Sequence, residues 1–463
     1  MVASSRGTST SLRRGLSGEA MLRDLETRFR LSRDDGERAI IADVLVPLYI
    51  PRGDYIAAND VLASVPDPPD TDLRLRLAAL RAMIAAVEGQ DPEALLPARV
   101  LERDDIRESS RAVIEQRSAY AFFFARDAVR AEQHATNAMV LAEARGERRA
   151  AAGAAGMLYV IHYHLTGDLE AARYYAELAT MQSAAAQDVQ WRHHYLTAQY
   201  DLAAVFGEWE RVTSLAELLR RESVHVAEQL AFWVASALLH GARGDFGAMH
   251  ATVDSVLKTI PIEKQADRAL LTALDALALA AAERDDEAKT MSRRAIHLSS
   301  GLGTPKEMAF LLIRRRLAAV LGSFALAIVG DSYRGVRALS VRQKWDGSIG
   351  FLARALTDLH VTGSIDMSSP EIRSVRGYAI VAANARTARE SRIAVVRTSA
   401  LGALTANELL LLKAVSEGKT NVQIAKDRNV SLTVTRKTLS RVYSKLGVRN
   451  RTEAAAMLLS ART

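Results

Sequence analysis

The feature that most constrains the fold is a short turn phrase that returns at a nearly constant spacing. Its clearest copies place glycine before an acidic residue, an apolar or aromatic residue and small residues, at 53–58, 167–172, 207–210 and 244–248. Weaker copies lie at 90–94, 126–129, 284–288 and 330–333. Successive acidic residues are 36–41 residues apart, and the last interval is 46. Because glycine ends helices in the left-handed conformation and an acidic side chain caps the next helix, each copy predicts the turn of a helical hairpin.

A helical hairpin that repeats at this period is typical of a solenoid. Apolar residues three and four apart, from about Leu22 to Leu359, agree with helices throughout. The phrase resembles the turn of tetratricopeptide-like repeats, whose usual period is about 34 residues. We therefore predict an all-α fold with a helical-repeat region over 19–360, whose concave face senses or docks a peptide, a protein or a small molecule. An irregular helical bundle with coincidental turns is the alternative.

The segments outside the repeats have different compositions. Residues 1–18 are rich in Ser, Thr, Gly and Arg, which predicts a disordered tail. Turn residues followed by spaced arginines predict a terminal cap and linker over 361–400. The chain has no cysteine, no apolar run of 18 residues and no apolar leader. We therefore expect a cytoplasmic protein without disulfides or a membrane span.

The charge of the chain is concentrated at one end. Residues 401–463 contain eleven Lys or Arg and four Asp or Glu, which accounts for the whole net charge of +7. A basic module on a neutral body indicates contact with a polyanion, while a solvated charged face is the alternative.

The basic module contains capping and termination signals for four short helices. Thr405 with Glu408 and Thr420 with Gln423 form capping boxes, Ser431 caps a third helix that Gly447 ends, and a last helix covers 451–460. The second helix is expected to direct three apolar side chains inward: Val422, Ile424 and Ala425. A short helix, a tight turn and a longer basic helix predict a helix-turn-helix domain over 401–463.

The third helix of this module has two faces. Thr435, Leu439, Val442 and Leu446 recur at helical spacing and are expected to pack on the core. The opposite face carries arginine, lysine and hydroxyl side chains, which suit base edges and phosphates in the major groove. A partner-binding or membrane-surface helix is the alternative. The predicted DNA-contacting residues are Thr420, Asn421, Ser431, Thr433, Arg436, Lys437, Ser440, Arg441 and Lys445.

Residues 404–457 resemble the LuxR-type (GerE/FixJ-like) DNA-binding domain. The matching residues are Leu404-Thr405, Glu408, Gly418, Asn421, Ile424-Ala425, Val430-Ser431, Lys445-Leu446-Gly447-Val448, Arg451-Thr452 and Ala454. The resemblance implies a four-helix domain of bacterial regulators that binds double-stranded DNA as a dimer, with Arg436, Lys437 and Ser440 facing bases. The chain departs from the family pattern at Asn407, at the Val434-Thr435 pair and at Thr438.

Other motifs do not predict an enzyme. Gly418-Lys419-Thr420 lacks the earlier glycine of a phosphate-binding loop. The histidines at 162, 164, 193 and 194 could hold a metal ion, but structural roles are favoured because the period-2 pair points to different sides of a helix. Aromatic residues between 160 and 235 predict core packing or an effector groove near Trp191–Trp233. We expect no catalytic residues, no cofactor and no metal.

These patterns favour a transcription regulator in which the repeat region controls a helix-turn-helix domain. The alternative is an interaction scaffold or anti-regulator whose module no longer binds DNA specifically. The last helix, with Ala455, Ala456, Leu458 and Leu459, is expected to present a dimer surface on DNA.

Overall fold

The structure, a computed structural model, describes residues 18–50, 54–96, 106–222, 230–260, 265–300, 305–330, 332–343 and 347–460. Within these residues all regular secondary structure is helical, without a β-strand. The helices before the linker are α1 (Gly18–Leu31), α2 (Asp35–Tyr49), α3 (Tyr55–Ala63), α4 (Thr71–Val87), α5 (Glu108–Phe124), α6 (Ala128–Ala144), α7 (Arg148–Ile161), α8 (Leu169–Ala185), α9 (Val189–Phe206), α10 (Trp209–Glu222), α11 (Leu230–Ala242), α12 (Phe246–Thr259), α13 (Gln265–Ala281), α14 (Asp285–Ser300), α15 (Pro305–Ile328), α16 (Ser332–Arg342) and α17 (Gly347–Thr362).

A short helix and a long one follow, and then the four helices of the basic module. They are α18 (Pro370–Arg373), α19 (Arg376–Gly402), α20 (Ala406–Ser416), α21 (Asn421–Asp427), α22 (Leu432–Leu446) and α23 (Arg451–Ser460). The predicted disordered tail lies outside the described residues, except for Gly18, which begins α1. None of the described helices is long and apolar enough to cross a membrane.

The recurring phrase forms the turns that the sequence predicts. At five copies the aspartate accepts a hydrogen bond from the backbone N–H of the following helix or 3-10 turn: Asp54, Asp91, Asp127, Asp168 and Asp245. Gly167, Gly207 and Gly244 before these turns have φ values of 72–74°. The described residues of these copies therefore lie where one helix ends and the next begins, which agrees with the helical-hairpin interpretation, while Gly53 and Asp331 lie outside the described residues.

Two weaker copies keep this turn geometry without glycine. Arg126 and Glu283 adopt φ values of 63° and 61°. The left-handed conformation is costly for residues with a Cβ atom, so these turns are held by the packing of the helices on either side. Asp285 lies inside the first turn of α14 rather than before it, and its carboxylate pairs with Arg389.

The helices are joined by continuous apolar packing in two large clusters. One cluster extends from α1 to α7, and the other from Tyr159 to Ala385, with Val160 and Tyr175 packed against both. Nearly every residue of α13 is buried, because α11, α12, α14, α15 and α19 all contact this helix. The sequence of successive hairpins fits a helical repeat.

Two long helices contact elements that are distant from them in the chain. The 24-residue α15 reaches across to α5 and to the π-helical turn His162–Thr166. The 27-residue α19 packs on α9, α11, α13, α15 and α17. The segment proposed as a cap and linker is therefore largely one helix, which runs from the array into the basic module.

Candidate nucleic-acid interface

The basic module is a small four-helix unit with its own core. Helix α20 packs on α22 and α23, and α21 packs on α22. Two adjacent clusters form the interior: Leu412, Val442, Leu446, Ala454 and Leu458, and Leu411, Val415, Ile424 and Leu439. This packing fixes the orientation of α22 and therefore decides which of its side chains reach solvent.

Side-chain caps define where these helices begin. Thr405 and Glu408 make a reciprocal capping box, and so do Thr420 and Gln423. The Ser431 hydroxyl accepts a hydrogen bond from the Val434 N–H at 3.2 Å and starts α22. Gly447 ends α22 with a φ of 68°. All four predictions are confirmed.

Helix α22 has the two faces that its sequence predicts. Thr435, Leu439, Val442 and Leu446 are at most 5% exposed. The exposed face carries polar and basic side chains, namely Thr433, Arg436, Lys437, Ser440, Arg441 and Ser444. Because α21 and α22 meet at the short turn after Arg428, the arrangement is a helix-turn-helix with the basic face of the second helix open to solvent.

Seven basic residues of the module form two groups that differ in their contacts. Four of them hold the module together: Lys419 with Asp427, Arg428 with Asn407, Arg451 with backbone carbonyls, and Lys445 with Glu408. In contrast, Arg436, Lys437 and Arg441 have no ion pair or side-chain hydrogen bond within the described part of the chain. The open face of α22 therefore carries three positive charges without an intramolecular counterion.

Three further predicted DNA contacts already have structural partners. The exposed Thr420 hydroxyl donates to Gln423 Oε1 at 3.0 Å and accepts from the Gln423 N–H. Asn421 is half-buried, and its side-chain oxygen lies 3.5 Å from the Arg451 guanidinium. The Ser431 hydroxyl accepts one bond and keeps a proton to donate. The structure therefore places all three residues at the start of α21 or α22, away from the middle of the open face.

Lys445 of α22 is tied to a carboxylate of α20. Its ammonium nitrogen lies 2.7 Å from Glu408 Oε2, and the Glu408 side chain is 7% exposed. The bond from Lys445 and the N–H of Thr405 lower the pKa of Glu408 to about 2. We missed this pair in the sequence because its partners are 37 residues apart and only the capping role of Glu408 has a local signal.

Two expectations about apolar residues of the module were wrong. Val422 is 63% exposed, because the seven-residue α21 directs only Ile424 and Ala425 into the core. Leu458 is 6% exposed and belongs to the core of the module, so it presents no dimer surface. Leu459, at 52% exposed, remains on the outside of α23.

The departures from the family pattern have local explanations. Asn407 accepts two hydrogen bonds from the Arg428 guanidinium, which ties the start of α20 to the end of α21. Thr435 is buried, and its hydroxyl donates to the Ser431 carbonyl at 3.3 Å. Thr438 likewise donates to the carbonyl of Val434. These side chains are satisfied within the module, so the changes do not disturb the helix-turn-helix.

A family comparison agrees with this geometry. The family model described as bacterial regulatory proteins, luxR family, matches residues 402–458. Residues 402–458 are a LuxR-family helix-turn-helix domain. The match extends the resemblance by two residues at its beginning and one at its end, and it covers about an eighth of the chain. No curated protein matches the chain.

The LuxR-family domain supports a DNA-binding transcription regulator. Since the match covers only the last helices, it assigns no activity to the array. The tetratricopeptide-like character of the array stays a prediction.

The aromatic and histidine residues of the array are mostly packed. Tyr195 and Tyr200 are at most 2% exposed, whereas Trp191 is 39% exposed and stacks on Tyr195 with ring centroids 5.7 Å apart. His162 stacks on Tyr175 at 5.3 Å. Within the described ranges, no group of three or more His, Cys, Asp or Glu side chains could hold a metal ion.

Proposed function

We propose that this protein is a sequence-specific transcription regulator in which α22 enters the major groove of double-stranded DNA. The open face of α22 carries this proposal, because Arg436, Lys437 and Arg441 lack partners in the described structure, while four other basic residues of the module are used internally. Arginine binds guanine bidentately, and lysine and hydroxyl groups bind phosphates. Thr433, Arg436, Lys437, Ser440 and Arg441 form the central contact surface, and Thr420, Asn421, Ser431 and Lys445 form its edge.

The first experiment tests Arg436 on a binding site selected from genomic fragments by the full-length protein. Arg436→Ala is expected to weaken specific binding by about 1–3 kcal/mol and to leave binding to random DNA nearly unchanged. Fluorescence anisotropy on both duplexes at fixed salt measures the difference. The matched control is Arg337→Ala, at an exposed arginine of α16 in the array, which should change neither affinity.

The two duplexes separate the possible outcomes. An equal loss on specific and random DNA would make Arg436 a phosphate contact. No loss on either duplex would contradict the docking model. A full-length protein that selects no site from genomic fragments would favour the interaction scaffold. Lys437→Ala is expected to weaken both complexes and to reduce the salt dependence by about one counterion.

The bound form is proposed to be a homodimer on two half-sites about one helical turn apart. Leu459 and Ala456 of α23 support this proposal, because they are exposed apolar residues that a second copy could cover. Footprinting at saturation checks the geometry, and protection of one short half-site would contradict it.

The array is proposed to control the module by binding an effector or partner near Trp191–Trp233. The exposed Trp191 ring and its stacking on Tyr195 support an aromatic contact surface in this region. The test compares the DNA affinity of the full chain with that of the fragment 398–463 on one binding site. Equal affinity and equal salt dependence, unchanged by cellular extract, would show that the array does not regulate DNA binding.

A further inference from the structure

Helix α19 is anchored in the array by both apolar and polar contacts. Tyr378, Ala379, Val381, Ala382 and Ala385 are at most 1% exposed and belong to the larger core cluster. The helix lies so close to α9 that a Cβ atom at Gly377 would fall 1.8 Å from the Ala204 carbonyl oxygen. The first ten residues of α19 are therefore a fixed part of the array.

Polar side chains of α19 bind the ends of two array helices. Asn384 donates hydrogen bonds to the carbonyls of Gly241 and Ala242 at 3.3 and 2.9 Å, at the end of α11. Arg389 donates to the Ala280 carbonyl at the end of α13 and forms a bidentate pair with Asp285. The last carbonyls of a helix lack the usual N–H partner from the next helical turn. The N–H groups of Gly244 and Glu283 bond to the carbonyls of Gly241 and Ala280, and the side chains of α19 add a second donor to each.

The other end of α19 is held by the LuxR-family domain. Ala400 and Leu401 pack against the core cluster of the module, and Leu404 joins them two residues after the helix ends. Helix α19 also contacts α22, which carries the open basic face. One continuous helix of 27 residues therefore has its first half in the array and its last turn in the DNA-binding domain.

The stretch between the two anchors is exposed and has a weak preference for helix. Glu390, Ser391 and Arg392 are exposed, and Val395 is 68% exposed. Residues 393–399 include four β-branched residues and a serine, which are poorer helix formers than alanine, leucine or glutamate. Because helix formation is cooperative, this stretch depends on the anchors at both ends for its helicity.

We propose that α19 is a rigid spacer that sets the orientation of the DNA-binding domain on the array, and that Asn384 and Arg389 are the positioning residues that keep it rigid. When Arg389 leaves Asp285, the exposed stretch 390–399 loses its anchor on the array and its helical structure. The DNA-binding domain then becomes free to reorient. The proposal relies on the proposed function only for what the domain binds, because spacer rigidity is measurable without DNA.

The test uses the absence of cysteine from the chain, which allows two introduced cysteines to be spin-labelled without background. Arg243→Cys, at the exposed turn after α11, and Lys413→Cys, on the exposed side of α20, report the distance between array and domain. Pulsed electron paramagnetic resonance on the full chain, diluted with unlabelled protein, is expected to give one narrow distance distribution. A broad distribution in the otherwise unchanged chain would overturn the proposal.

Two variants at Val395 calibrate the measurement. Val395→Ala removes an exposed side chain and favours helix, so the distribution should stay narrow. Val395→Pro interrupts the helix and should broaden the distribution several-fold. Equal widths for the unchanged chain and for Val395→Pro would overturn the rigid spacer.

The role of Arg389 as an anchor is tested with the same distance measurement. Arg389→Ala should broaden the distribution, and Arg389→Lys, which keeps a positive charge beside Asp285, should restore part of the narrow component. Circular dichroism and tryptophan fluorescence establish that each variant is folded. A folded Arg389→Ala protein with an unchanged distribution would overturn the role of Arg389, whether or not the full chain binds DNA.

Discussion

Gly377 provides the sharpest test of how α19 is seated in the array. Gly377→Ala places a methyl group 1.8 Å from the Ala204 carbonyl oxygen and 3.0 Å from the Val205 carbonyl oxygen. Both obstacles are backbone atoms, so no side-chain rotation relieves the clash, and α19 must move away from α9 by roughly 1 Å or more. Overpacking of this kind typically costs about 1–3 kcal/mol, which outweighs the gain of about 1 kcal/mol from replacing glycine in a helix.

The matched control is in the same helix. A Cβ atom at Gly402 would have no neighbour within 4 Å, so Gly402→Ala adds helix propensity without a clash. We expect this variant to be unchanged or more stable by up to about 1 kcal/mol. The pair separates the effect of α19 seating from the general effect of a glycine-to-alanine substitution.

Urea unfolding followed by tryptophan fluorescence measures the expected difference. All four tryptophans precede the module, at positions 191, 209, 233 and 345, so the signal reports on the array. Both variants share the gain in helix propensity, so with an m-value of about 3 kcal/mol/M the midpoint of Gly377→Ala should lie roughly 0.3–1 M below that of Gly402→Ala. A midpoint equal to that of Gly402→Ala would refute the close contact between α19 and α9.

Three further outcomes are expected. The pKa of Glu408 is lowered to about 2 by Lys445 and the Thr405 N–H. Its carboxylate therefore stabilises the module above the unfolded pKa, and this contribution is lost as the pH falls toward 2. Glu408→Gln should make module unfolding, followed by NMR, depend less on acid. Tyr163→Phe removes the hydroxyl that donates to buried Asp201 at 2.7 Å and should lower array stability by about 1–3 kcal/mol in urea unfolding. Thr435→Val should change module stability by less than about 1 kcal/mol, because the Ser431 carbonyl keeps the Thr435 backbone N–H as a donor; a larger loss would show that the hydroxyl matters.

Local signals explain the parts of the fold that the sequence predicts. Turn glycines, capping aspartates and the capping boxes of the module act within three or four residues, so their pattern is visible in the chain itself. The same signal was available at Asp34, Asp70 and Asp188, which cap α2, α4 and α9, and we missed these three residues. They lie outside the recurring phrase, at the start of the other helix of each hairpin.

Long-range contacts explain what the sequence does not predict. Asn384 bonds to Gly241 and Ala242, which are more than 140 residues away in the sequence, and Arg389 bonds to Asp285, which is 104 residues away. The arginines of 361–400 indicated a linker, but nothing near Arg389 in the chain distinguishes an arginine that seats a helix from one that faces solvent. The difference arises only when α13 and α14 supply a carbonyl and a carboxylate at the same place.

The contacts that hold α19 on the array also indicate how large a difference in binding free energy a regulatory ligand must supply. A ligand changes DNA binding only by the difference between its affinities for the seated and unseated states of this helix. A tenfold change in DNA affinity corresponds to about 1.4 kcal/mol, which is close to the net value of one hydrogen bond to a charged group. Competition for a single contact, such as the bond from Arg389 to the Ala280 carbonyl or the pair with Asp285, is therefore sufficient in magnitude. Regulation through α19 does not require the array to unfold or its hairpins to rearrange.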